Sequence, residues 1–256
     1  GANKKGSIQK ILWFFLPLPN RISWQKLITM QAEISPVYVC GCDRSGTTAI
    51  GSLIGGQKGF IAIPESHFII ESFCNSNWCV DEIHPFDLYW SRIKDNWRLK
   101  IWNYSPEHFG GATAKGDVNL AGFIKMFVSD FARSNGVTSF NSWVDHTPMN
   151  VLHVNWLLHL FPKARFIHLV RDPRAVAASL LRLPWGPKTV SEFVPFWLQK
   201  VCAGLAAELR YPNAFMLLKY EDLIEGSAEV TEKIEKFLGL DHLDLERHTV
   251  SGLTNY

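Results

Sequence analysis

Glycines, hydroxyl side chains and one arginine crowd a single short stretch of this chain. Gly41-Cys42-Asp43-Arg44-Ser45-Gly46-Thr47-Thr48 follows the apolar run Val37–Cys40 and leads into a helix-like segment. That order reads as strand, tight loop, helix. The free N–H groups of a helix's first turn converge on one point, and the helix dipole adds partial positive charge there, so the junction suits an anion, most often a phosphate. The spacing Gly41-x4-Gly46 approaches the nucleotide P-loop, in which lysine and then Ser/Thr follow the second glycine. Here Thr47 stands at the lysine position, and Arg44 is the loop's cation. A kinase or NTPase needs that lysine on the β/γ-phosphates and Mg²⁺ beside it. The loop instead suits a phosphate whose transferred neighbour carries less charge.

A second anion site lies downstream. In Phe166–Leu183 an apolar strand ends in Arg171, Asp172 and Arg174, and Pro173 starts the next helix. Ser179 follows Arg171 by eight residues. The planar guanidinium fork matches phosphate oxygens. The competing reading of Arg171 and Arg174 is a pair of salt-bridged surface residues.

Positioning these groups requires an alternating fold. Helical signals cover Thr47–Ile54, a segment opened by Pro64, Val118–Arg133, Pro148–Leu160, Pro173–Leu183, Val190–Leu209 and Ala228–Leu238. Strand signals cover Gly59–Ile63, Ser139–Val144, Arg165–Val170 and Ala214–Leu218. Alternation of this kind predicts an α/β fold with a central, mostly parallel sheet flanked by helices on both faces. The aromatic, irregular stretch from Phe73 to Gly116 reads as helical insertions over the active site. Ligands of such sheets sit beyond the carboxyl ends of the strands, where Cys42–Thr48, Asp145–His146 and Arg171–Arg174 should converge.

Strand–RSGTT–helix followed by strand–RDPR–helix with Ser179 resembles the sulfotransferase superfamily, whose fold is P-loop-like and whose donor is 3′-phosphoadenosine 5′-phosphosulfate (PAPS), leaving PAP as product. The resemblance runs from about Val37 to Leu240 and includes LLKYEDL at Leu217–Leu223 and FLGL at Phe237–Leu240. It implies that Arg44, Ser45, Gly46, Thr47 and Thr48 hold the 5′ end of PAPS, that Arg171 and Ser179 hold its 3′-phosphate, and that Tyr220 of the closing segment also contacts the nucleotide. The arginine in the loop is similar to the bacterial and tyrosylprotein-type branch, in which a glutamate about two dozen residues on serves as base. Glu65 stands 21 residues after Arg44. Relatives carry lysine just before Thr-Pro, where this chain has His146.

Glu65, Arg44 and His146 are therefore the expected catalytic residues. Arg44 and the Thr47 and Thr48 hydroxyls would stabilise charge on the leaving oxygen; one such donor is typically worth about 2.7–4 kcal/mol of barrier. Glu65 would take the acceptor's proton; its alternative role is to complement a helix N-terminus, worth about 0.3–1 kcal/mol. His146 ranks second as base and His67 third, and His146 could instead contact the sulfonyl oxygens. The sulfonate carries one negative charge fewer than a terminal phosphate, and protein donors alone suffice for it. No metal requirement is expected.

The chain has 256 residues, is 47% apolar and carries a net charge of +2, which argues for one α/β domain and against a nucleic-acid partner. Residues 1–36 read as an N-terminal docking helix or extension and 37–256 as the sulfotransferase domain. Ile11–Leu18 is apolar, but it is too short to span a bilayer and is broken by Pro17. A surface-docking helix is favoured over membrane contact. Five cysteines without zinc-site spacing favour a reducing, cytoplasmic compartment, with the Golgi lumen or an excised domain of a larger protein as alternatives. The tail after Leu240 lacks the Gly-Arg-Trp-type closing motif of relatives, so either the chain is cut or the nucleotide is covered differently. The expected acceptor is a hydroxyl on a small molecule, lipid or glycan rather than a peptide, in a pocket shaped by Trp78, Trp90, Trp97, Trp102 and Trp185. The competing functions are a P-loop nucleotide kinase or NTPase and a non-catalytic nucleotide-binding scaffold.

Overall fold

The computed structural model describes residues 34–74, 79–103, 116–226 and 228–245. The docking helix expected within 1–36 falls outside them, apart from the start of the first strand, as does Trp78. Five parallel strands form the sheet: β1 (Ser35–Gly41), β2 (Phe60–Ile63), β5 (Ser142–Asp145), β6 (Arg165–Val170) and β7 (Phe215–Lys219), in the spatial order β2-β5-β1-β6-β7. A two-stranded antiparallel ribbon, β3 (His84–Pro85) with β4 (Asp117–Val118), lies in the insertion. The α-helices are α1 (Thr47–Gly55), α2 (His67–Ile69, continued by a π-turn over Ile70–Cys74), α3 (Phe86–Ile93), α4 (Leu120–Ser134), α5 (Val154–Leu160), α6 (Pro173–Leu180), α7 (Val190–Arg210), α8 (Tyr220–Ile224) and α9 (Ala228–Leu238). Among the described residues no helix is long and apolar enough to cross a membrane.

Period-two alternation sorts the strand side chains between two faces. Val37 and Val39, Val144, Ile167 and Leu169, and Leu218 pack with Ile50, Leu53 and Ile54 of α1 and with Val230 and Ile234 of α9. Tyr38 and Cys40, Ile61 and Ile63, Trp143, Phe166 and Phe215 face α4, α5 and α7 instead. The insertion's Phe73, Tyr89 and Trp102 join this second layer, stacking edge-to-face or offset with Phe68, Phe123 and Phe127 in a continuous buried cluster. Burying each such ring is worth about 1.5–3 kcal/mol. Among the described residues most aromatic side chains are thus core. Trp102 belongs to that core, while Trp97 and Trp185 are largely exposed.

Several expectations need adjustment: the helix expected over Pro173–Leu183 ends at Leu180, and that expected from Val118 starts at Leu120 because Val118 belongs to β4. The helix assigned to begin at Pro64 begins at His67, because long-range bonds hold the preceding backbone outside it: the Ser66 N–H donates to Thr147 Oγ1 at 2.7 Å, and the Trp102 indole donates to the Glu65 carbonyl at 3.2 Å. Pro148–Leu160 is two pieces, a 3-10 turn over Pro148–Leu152 and then α5, parted at His153 where the bonds tighten to i→i+3. The strand assigned from Ser139 starts at Ser142.

Candidate active site

Connections after β1 and β6 run in opposite directions along the sheet, which opens a crevice beyond their carboxyl ends. All five strands end there in chemistry. After β1 comes the Cys42–Gly46 loop, after β2 Glu65, after β5 Asp145 and His146, after β6 Arg171, and after β7 Tyr220.

The loop earns its shape from two left-handed residues, Arg44 (φ 68°) and Gly46 (φ 96°). Gly46 has a second reason to be glycine, since a Cβ there would lie 2.5 Å from Tyr220 Cε2. No side chain caps α1 and its first turn holds no acid, so the first-turn N–H groups are left for a ligand. Ser45 and Thr47 are buried, and Ser45 Oγ has no hydrogen-bond partner.

The two anion motifs touch. Arg44 Nε donates to Ser179 Oγ at 3.0 Å, and Arg171 Nη1 donates to the Arg44 carbonyl at 3.2 Å. Arg171 also stacks on the Tyr220 ring, 4.3 Å from its centroid, so Tyr220 contacts both motifs. Its neighbour Glu221 accepts from the Asp172 N–H at 2.9 Å and ties α8 to the β6–α6 turn. Arg174 behaves differently. It pairs with Asp172, the N-cap of α6, and its side chain is 90% exposed. Arg174's hydrogen bonds hold the Asp172 carboxyl down at about 2. The surface-pair reading thus describes Arg174 and not Arg171.

Across the crevice, Glu65 lies between two histidines. His67 Nε2 is 2.8 Å from Glu65 Oε2, and His146 Nδ1 is 3.9 Å from Glu65 Oε1. His146 is fully buried, and neither ring nitrogen has a hydrogen-bond partner. Burial lowers its pKa, opposed by the nearby Glu65 and Asp145 carboxylates. Beneath the pair runs a buried network. Asp145 Oδ1 accepts from the Thr147 N–H (3.0 Å) and hydroxyl (2.6 Å), Oδ2 accepts from Ser66 Oγ, and Thr147 Oγ1 accepts from the Ser66 N–H. Ser66 and Thr147 adjoin Glu65 and His146 in sequence, so one carboxylate fixes the backbone under both.

Sequence reasoning singled out neither Ser66 nor Glu221, and it missed Lys200, which is buried on α7 and pairs with Asp43. Lys200 was detectable as a charge on the otherwise small and apolar face formed by Phe193, Gly204 and Ala207. Among the described residues no group of three or more His, Cys, Asp or Glu is arranged to hold a metal ion.

Known proteins resemble this chain in fold and in sequence. The sulfotransferase domain of the curacin biosynthetic pathway superposes with a TM-score of 0.55 at 16% identity, covering 86% of this chain and 76% of that one. The sulfotransferase domain of the Synechococcus PCC 7002 olefin synthase gives 0.54 at 18%, covering 86% and 79%. Among curated proteins, the nodulation protein NoeE of Sinorhizobium fredii is 27% identical over 77% of this chain, but the match spans only 43% of NoeE. The omega-hydroxy-beta-dihydromenaquinone-9 sulfotransferase Stf3 of Mycobacterium tuberculosis is 32% identical over 90% of this chain and 71% of Stf3. The profile of the Sulfotransferase family matches residues 36–244. With motifs, sheet and family profile in agreement, the chain belongs to the sulfotransferase family.

Proposed function

We propose that this protein transfers a sulfuryl group from PAPS to a hydroxyl of an apolar small-molecule or lipid acceptor, with Glu65 as base. The observation that carries the reading is the joining of two anion sites into one donor surface through Arg44, Ser179 and Arg171. A nucleoside with a 5′-phosphosulfate and a 3′-phosphate has two anionic ends to match it. The buried, unpartnered Ser45 hydroxyl and the uncapped first turn of α1 fit the 5′ end.

In this scheme the sulfur–oxygen bond to the 5′-phosphate breaks as a new one forms to the acceptor oxygen, in line. Arg44 leaves Ser179 and, with Thr47, Thr48 and the first-turn N–H groups of α1, neutralises charge on the departing phosphate. Arg171 and Ser179 hold the 3′-phosphate, and Tyr220 packs beside it. Glu65 takes the acceptor proton. The Nε2–H tautomer of His67 donates to Glu65 Oε2 and orients the carboxylate. His146, kept neutral by burial, faces its other oxygen.

The apolar acceptor rests on two relatives. Stf3 is named for a hydroxylated menaquinone, and a Cavia porcellus relative, 32% identical over 32% of this chain and 36% of its own, is named for 3-beta-hydroxysteroids. Transfer of labelled sulfate from PAPS to a terminal polyprenyl alcohol or a sterol tests the reading. Ester formation with PAPS, undiminished by EDTA, is the expected result. Tighter binding of ATP·Mg²⁺ than of PAP would favour a kinase-like enzyme, and tight PAP binding without turnover on any acceptor would favour a scaffold.

A further inference from the structure

A loop that binds a multiply charged anion is a poor place for a carboxylate, yet Asp43 sits between Cys42 and Arg44, three residues before Gly46. Its side chain is held by α7, where its Oδ2 contacts Lys200 Nζ. The ammonium also lies 3.8 Å from the centre of the Phe196 ring. Both partners are shielded, with side-chain exposures of 7% for Lys200 and 18% for Asp43. Cys42, just before the pair, is buried with Val176, Leu180 and Phe193 in the cluster that seats α6 and α7 against the loop. Lys200 is 157 residues from Asp43 and outside every motif that marks the anion sites.

We infer that Lys200 is a positioning residue for the donor. It neutralises Asp43 and draws its carboxylate off the cradle, so that the loop presents N–H groups, hydroxyls and Arg44, and no negative charge, to the 5′ end of the nucleotide. This inference rests on the proposed PAPS site. Because the pair is shielded from water, its charges are weakly screened and reach the bound anion. Removing either partner leaves an uncompensated buried charge, and both changes destabilise the fold. Their effects on the donor have opposite signs, because one leaves a negative charge beside the anion and the other a positive one.

The test measures PAP affinity by calorimetry, donor and acceptor KM, and Tm for Lys200→Met, Asp43→Asn and the double variant. Lys200→Met should raise the PAP Kd about tenfold or more, through repulsion by the stranded carboxylate, and raise donor KM while leaving acceptor KM unchanged. Asp43→Asn should bind PAP as tightly as the unaltered protein or more tightly, although its Tm also falls. The double variant should return within about threefold of the original Kd, since neutral side chains of similar size replace a buried pair at little cost. Equal loss of PAP affinity in both single variants would make the pair a mere strut and overturn the inference, and so would unchanged affinity in Lys200→Met. If Lys200→Met does not fold, Asp43→Asn and the double variant carry the decision: weakened PAP binding in Asp43→Asn, not restored in the double variant, overturns it. An unaltered protein that fails to bind PAP overturns the PAPS reading itself, and this inference with it.

Discussion

Arg44 reaches across 135 residues of sequence to donate its Nε–H to Ser179 Oγ at 3.0 Å. The same arginine offers its backbone carbonyl to Arg171. The loop after β1 and the helix after β6 are therefore held in register by the groups that would grip the two ends of one ligand. A nucleotide entering this surface exchanges protein–protein hydrogen bonds for protein–ligand ones, so little of the site has to be built on binding.

Arg171→Ala should expose that division of labour. Arg171 sits over Tyr220 and donates to the Arg44 carbonyl, and a hydrogen bond to a charged group is typically worth about 1.5–3 kcal/mol. PAP Kd and donor KM should rise about ten- to a hundredfold, with acceptor KM nearly constant. Parallel increases in donor and acceptor KM would remove Arg171 from the 3′-phosphate role. Arg174→Ala is the control: its guanidinium is taken up by Asp172 at the surface, and donor KM should stay put.

Glu65→Gln keeps shape and hydrogen-bonding reach but cannot accept a proton at neutral pH. Turnover should fall about 10²–10⁴-fold with PAP affinity unchanged. Stopped-flow and calorimetry on one preparation separate the two effects. Wild-type turnover in Glu65→Gln would transfer the base to His146 or His67, the groups that flank it at 3.9 and 2.8 Å.

Asp145→Asn tests whether the base is placed by the network beneath it. The carboxylate accepts from two hydroxyls and one N–H, and an amide in its place turns one acceptor oxygen into a donor facing Ser66. Leaving one such buried group unsatisfied costs about 1–3 kcal/mol. The expected result is a lower kcat with donor Kd preserved, because neither anion site contacts Asp145. A variant that loses stability but keeps kcat would make the network purely structural.

What the sequence disclosed and what it withheld divide along range of interaction. Arg165–Val170 and Ala228–Leu238 fold over the very residues expected, because apolar runs, the Pro173 helix start and the Gly239 stop are local signals. Arg44, Ser179, Arg171 and Tyr220 come together at one sheet edge for a topological reason: parallel strands deliver all their carboxyl ends to the same side. The late start of α2 was not legible, because it depends on Thr147, 81 residues from Ser66. Lys200 escaped for the same reason, its partner being fixed by how α7 crosses the loop. Which tryptophans are buried was not legible, because an aromatic side chain looks alike in sequence whether it is enclosed, as Trp102 is, or exposed, as Trp97 and Trp185 are.

His168 supplies a pH dependence that is separate from chemistry. It lies on β6, fully buried against α7, and neither ring nitrogen has a hydrogen-bond partner. A Cβ on Gly204 would come within 2.0 Å of its Cε1, so the helix closes directly over the ring. Burial pushes its pKa from 6.5 down to about 4. The unfolded chain therefore binds a proton at higher pH than the folded one. Above pH 6.5 both states are neutral at this site and stability is unaffected. As pH falls from 6.5 toward 4 the unfolded state gains its proton first, and stability drops by about 1.4 kcal/mol per pH unit. At pH 5 the loss from this site alone should be about 2 kcal/mol relative to pH 7.5. His168→Leu, close in size and unable to titrate, should remove that share, leaving only the acid sensitivity of other groups such as His146. Urea midpoints of both proteins at pH 7.5 and pH 5 decide the matter, read as the difference between their two shifts. Equal shifts would mean that His168 is protonated in the folded state well above pH 4, which its enclosure under Gly204 argues against.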